Sequence, residues 1–89
     1  MERRRVVYSG RVQGVGFRAT ACETASGHVV SGWVRNEADG SVMLEVQGDV
    51  GEVERYLAEL RRVMGRLIVR EDSLQAEVVG GERGFEVRR

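Results

Sequence analysis

The stretch GRVQGVGFR, Gly10 to Arg18, sets three glycines among Arg11, Gln13 and Arg18. Glycine admits positive φ and lets another group approach the main chain closely. Where such a run opens a helix, its amide N–H groups can face one concavity, to which the helix dipole adds positive potential. The chemistry on offer is capture of an anion. Arg18 strengthens that reading, because a guanidinium is a planar fork of donors matched to phosphate oxygens. For the glycines by themselves, a tight turn with no ligand remains the competing account. Asn36 is the second polar residue of interest. It stands where a strand ends, and its amide could orient a water beside a bound anion or simply start a hairpin turn. It can come close to the glycine loop if the strands preceding the two are neighbours.

Gly14, Gly16 and Ala19 also satisfy the dinucleotide spacing G-x-G-x-x-G/A. That pattern requires a βαβ crossover in a parallel sheet, whereas here the strand after the helix turns straight back through NEADG. Dinucleotide binding is therefore set aside. No His, Cys or carboxylate cluster has metal-ligand spacing. His28, the one histidine, reads as structural, and Cys22, the one cysteine, as core packing with no His to activate it.

The elements that must hold these residues follow from periodicity. Val6, Tyr8, Gly10 and Val12 alternate with Arg5, Val7, Ser9 and Arg11, as in a half-buried strand. From Arg18 or Ala19 to Ser26 the pattern is helical, with Ala21 and Ala25 on one face. VVSGWVRN and SVMLEVQG alternate as strands, and the Asp-Gly pair in NEADG joins them as an antiparallel hairpin. Trp33 then falls on the outer face of the sheet. A second helix runs from Val50 to about Met64, with Val50, Val53, Leu57, Leu60 and Met64 along one side. Asp49 is placed to cap it, Glu52 to complete a capping box, and Gly65 to take the turn beyond it. Residues 67–79 contain strand-like patches without a readable pairing, and Phe85 to Val87 form a last short strand. The order βαββαβ, with an edge strand added, is an α+β ferredoxin-like sandwich: an antiparallel sheet of four to five strands with two helices on one face.

Eighty-nine residues suggest one domain, 1–89. Fourteen arginines and no lysine balance fourteen acids, and zero net charge argues against a general binder of nucleic acid or anionic membrane. Basic clusters at Arg3–Arg5 and at Arg88–Arg89 read either as solvated ends or as a local field attracting a small anion. No apolar run is long enough for a secretion signal or a bilayer span, and a lone cysteine fits a reducing compartment. A cytoplasmic monomer is the expectation.

GRVQGVGFR, followed by the Asn of GWVRNEADGSV, resembles the acylphosphatase family, and the closing GFEVRR extends the likeness over nearly the whole chain. The resemblance implies hydrolysis of the carboxyl-phosphate bond of acyl phosphates to a carboxylate and inorganic phosphate, with neither metal nor cofactor. It maps Arg18 to phosphate binding and Asn36 to orienting the attacking water. The backbone of Gln13, Gly14, Val15, Gly16 and Phe17 becomes the phosphate cradle, and inorganic phosphate a competitive inhibitor. Three features depart from the family pattern: Ala19 replaces an aromatic, Val29 replaces a Gly or Asn, and residues 65–81 lack a proline-containing link. A β-branched Val29 suits a left-handed helix end poorly, so Gly27 is expected to close the first helix early. An RNA-recognition module has the same element order, but its stacking aromatics are missing from SVMLEVQG. A non-catalytic anion-binding or regulatory domain on the same fold is the remaining alternative.

Overall fold

The computed structural model describes residues 1–89. Strand β1 spans Glu2–Gly10, helix α1 Phe17–Ala25, β2 Val30–Asn36, β3 Val42–Gly48, helix α2 Val50–Met64, β4 Ile68–Ala76 and β5 Phe85–Val87. The sheet order is β4-β1-β3-β2-β5. All pairings are antiparallel except β2 with β5, which is parallel, so the sheet is mixed at that edge. The unassigned stretch 67–79 resolves into β4 on the opposite edge, antiparallel to β1.

Strand alternation sorts the side chains as the pleat requires. Val6, Tyr8, Val34, Val42, Leu44 and Val46 meet the helices in one core with Phe17, Ala21, Ala25, Val53, Tyr56, Leu57, Leu60 and Met64. The apolar stripe of α1 is thin, and α2 compensates. Tyr56 is buried between the layers and donates its hydroxyl to the Ala21 carbonyl at 3.0 Å, tying the helices together. Val50, assigned to the buried stripe from its spacing, is exposed because it occupies the first turn of α2.

Helix ends differ from expectation. Asp49 stands at the N-cap of α2 but its side chain makes no cap bond. Glu52 instead accepts from the Val29 amide at 3.1 Å and from Arg55 at 3.0 Å, so it links α2 to the chain entering β2. Gly65 keeps right-handed φ and continues into a 3-10 turn, Gly65–Leu67. Helix α1 does end before Gly27, yet without a left-handed residue. The Gly27 and His28 amides donate three residues back, to Thr24 and Ala25, tightening the exit. Val29 then needs no unusual conformation and is 80% exposed.

On the outer face of the sheet, Trp33 lies under two guanidinium groups, those of Arg35 and Arg88, each 5.0 Å from its ring centroid. The N-terminal basic cluster is only partly solvated. Arg3 is buried on this face among Glu45, Gln47 and Glu82 because the 77–84 segment folds over it. No helix is long and apolar enough to cross a membrane.

Candidate functional site

Val12, 1% exposed, anchors the glycine loop in the core. Three further bonds carry the loop across the end of the sheet: Arg11 donates its backbone amide to the Leu67 carbonyl at 2.9 Å, and Gln13 reaches the β2–β3 hairpin with two. The Gln13 side-chain Nε2 donates to the Glu37 carbonyl at 2.8 Å and the Ser41 carbonyl at 2.9 Å. This brace corrects the anticipated route to Asn36. Strands β1 and β2 are not neighbours, since β3 lies between them. The loop nevertheless meets Asn36 because Gln13 holds it over the hairpin.

The result is a pocket of about 370 Å³ lined by Val12, Gly14, Gly16, Phe17, Arg18, Ala19, Asn36, Val87 and Arg89. Arg18 and Asn36 share it with the loop glycines. Gln13 and Val15 do not line it: Gln13 turns its side chain to the hairpin, and the Val15 side chain is exposed. Two further residues line it: Val87, which the sequence did not single out, and Arg89, legible there only as part of a basic end that either is solvated or attracts a small anion. The alternation Phe85, Val87, Arg89 places them on one side of a strand, but only the parallel pairing of β5 with β2 brings that side to the pocket.

Gly14 and Gly16 have φ of 75° and 81°. Gly16 is the N-cap of α1, and its carbonyl accepts the Thr20 amide at 2.9 Å. The amides from Gln13 through Ala19 take no backbone acceptor. They are orphan donors of a loop and a first helical turn, and α1 has no acidic residue in that turn to occupy them. A Cβ at Gly14 or Gly16 would meet nothing within 4 Å. Both glycines are therefore needed for backbone conformation rather than for space inside the protein. Gly16→Ala is expected to cost about 1–2 kcal/mol of left-handed strain, lowering the melting temperature by roughly 5–15 °C in a chain of this size. Thermal denaturation followed by circular dichroism measures it.

No Asp or Glu lines the pocket. Arg18 is half-buried and forms no ion pair, in contrast to Arg35 with Glu37 and Arg88 with Glu86 nearby. Positive charge, backbone whose N–H groups have no acceptor and one amide side chain thus share a pocket with no Asp or Glu in its lining, an arrangement suited to an oxyanion of high charge. Cys22 packs against the core outside this pocket, and burial pushes its thiol upward, away from a reactive thiolate. His28 lies at the far end of α1, 3.5 Å from Glu52 and edge-on to Tyr56. Neither belongs to the pocket.

The acylphosphatase family model matches residues 4–87. An acylphosphatase of Syntrophotalea carbinolica is 43% identical over 86 residues, covering 94% of this chain and 92% of its own. An acylphosphatase of Chlorobaculum tepidum is 46% identical over 56 residues, and that match spans 63% of this chain but only 61% of the relative's length. The crystal structure of acylphosphatase from Bacillus subtilis shares the fold, with a TM-score of 0.88 over the whole of both chains at 23% identity. By sequence match over almost its full length, the chain belongs to the acylphosphatase family.

Proposed function

We propose that the protein hydrolyses acyl phosphates in this pocket, without a metal or other cofactor. The observation that carries the reading is that Arg18, Asn36 and the acceptor-free backbone at Gly14 and Gly16 line one pocket with no Asp or Glu in its lining. Arg18 and the backbone of Gln13 to Phe17 bind the phosphoryl oxygens. Asn36 orients a water for in-line attack at phosphorus. The P–O bond to the acyl group breaks as the P–O bond to water forms. A carboxylate departs, and one water proton passes to a phosphate oxygen, giving dihydrogen phosphate.

Such a sparse site is chemically sufficient. A carboxylate is a weak base and leaves without a proton, so no general acid is needed. Phosphoryl transfer asks chiefly for positioning and for donors aimed at the charge on the equatorial oxygens. Amides fixed by the Gly14 and Gly16 turns supply such donors without reorganising during the reaction.

The test is hydrolysis of benzoyl phosphate in the presence of chelator, with inorganic phosphate as competitor. The wild type is expected to turn over undiminished by chelator and to be inhibited competitively. A folded wild type that binds phosphate but never hydrolyses would favour a non-catalytic anion-binding domain. Asn36→Ala is expected to lower kcat by about 100-fold through loss of water positioning, while KM changes little because the phosphoryl contacts remain. Full activity in that variant would remove Asn36 from the mechanism.

A further inference from the structure

We infer that Arg89 is a second phosphoryl-binding cation in this pocket, acting beside Arg18. This rests on the reading of the pocket as a phosphoryl site, and it gives a specific role to a residue to which neither the glycine loop nor Asn36 assigns one.

The placement of Arg89 is built into the sheet edge. Strand β5 pairs parallel to β2 with Val34 opposite Val87, and the Arg88 amide continues the ladder by donating to the Val34 carbonyl at 2.8 Å. Continued two places, that register sets Arg89 alongside Asn36. Arg88 turns to the outer face, where it lies over Trp33 and bonds Glu86 at 3.3 Å. Phe85 turns to the helices and packs on Tyr56 with ring centroids 5.5 Å apart. Alternation then directs Val87 and Arg89 to the helix side, and both line the pocket.

Charge supplies the second half of the argument. Arg35 and Arg88, on the outer face, each have a carboxylate partner. Arg18 and Arg89 pair with none, although they share one pocket with no Asp or Glu in its lining. Two unpaired like charges in one concavity repel each other, and a bound anion reverses the sign of that interaction. An acyl phosphate carries two negative charges on its phosphoryl group near neutral pH. Arg18 meets one of them, and the Arg89 guanidinium adds a second fork of donors for the other. Because the phosphoryl group is charged before and after attack, Arg89 stabilises substrate, transition state and product phosphate alike. Its signature is therefore in binding more than in turnover.

The experiment compares wild type, Arg89→Gln and Arg89→Lys. Inorganic phosphate binding is read directly by calorimetry, and benzoyl phosphate hydrolysis is read alongside a substrate whose acyl group bears a second carboxylate, such as succinyl monophosphate. Arg89→Gln is expected to weaken phosphate about tenfold, as loss of one charge-assisted contact implies. KM should rise by a similar factor for both substrates with kcat nearly constant, and Arg89→Lys should lie between the two. Unchanged phosphate affinity in a folded Arg89→Gln overturns the inference while leaving wild-type hydrolysis to support the site. A KM effect confined to the dicarboxylic substrate also overturns it, placing Arg89 at the acyl side instead. A wild type that binds no phosphate overturns the inference and the site reading together.

Discussion

Arg18→Gln is expected to lower kcat/KM for an acyl phosphate by about 100- to 1,000-fold, the scale seen when a donor to a developing oxyanion is removed. Both KM and kcat should suffer. The guanidinium meets the phosphoryl group in the ground state, and it meets the transition state more strongly as charge spreads over the equatorial oxygens. Glutamine keeps a polar, extended side chain, so the loss reports charge and the fork of donors rather than bulk. The fold should be unaffected, because Arg18 makes no ion pair within the protein and is only half-buried in the pocket lining. Steady-state kinetics with a thermal melt as control decides it. A variant retaining even a tenth of wild-type kcat/KM would remove Arg18 from the phosphoryl cradle.

The second large effect is on stability and lies on the opposite face of the sheet. Arg3 is 1% exposed. Its guanidinium binds Glu45, donates to Gln47 at 3.1 Å and forks onto both oxygens of Glu82 at 2.7 and 3.1 Å. Glu45 also accepts from Arg5 at 2.7 Å, and Glu82 from Ser31 at 2.8 Å. Gln47 exchanges two bonds with the Val79 backbone, at 2.8 and 2.7 Å, so the whole 77–84 segment is clamped over the sheet. Arg3→Ala leaves two shielded carboxylates short of a partner, and removing one member of a buried pair costs about 3–5 kcal/mol. Against a typical total of about 5–15 kcal/mol, that is a major loss. Urea denaturation should show a much lower midpoint, and an unchanged midpoint would mean that Arg3 is dispensable.

The same cluster sets an acid response. Burial opposes ionisation of Glu45 and Glu82, but hydrogen bonds and charge from Arg3, joined by Arg5 at Glu45 and by Ser31 and Arg88 at Glu82, outweigh it. Both carboxyls are held below the ordinary glutamate value of 4.5. A folded-state pKa below the unfolded one contributes stability that is fully present above about pH 4.5 and disappears as pH falls through the depressed values. Wild-type stability should therefore be level near neutrality and decline in acid. Arg3→Ala should show a shallower decline, since the contribution it removes is the one that acid removes.

This cluster also marks where reading the sequence runs short. ERRRV looks like a basic end because charge density is visible in one dimension. Burial of Arg3 depends on Glu45, Gln47 and Glu82, which lie 42 to 79 positions away. The long helix was legible in its apolar repeat, and its limits Val50–Met64 match the repeat. Its caps were not, because Glu52 found a tertiary partner in the Val29 amide that a helix read in isolation does not contain. The limits and pairing of β4 within 67–79 were not legible, for a related reason. It is an edge strand whose exposed Val69 and Leu74 break the alternation that a half-buried strand shows.

The sequence by itself determined the βαββαβ order, the hairpin between β2 and β3, the loop that needs glycine, and the motifs that carry the family. These are local properties, written in side-chain period, turn residues and residue spacing. Tertiary structure decided what stands next to what. It put β3 between β1 and β2, swung Gln13 onto the hairpin so that Asn36 and Arg18 share one pocket, and paired β5 parallel to β2 so that Arg89 joins them. Pairing between distant segments is selected by the packing energy of the whole core, and no short window of sequence contains that information.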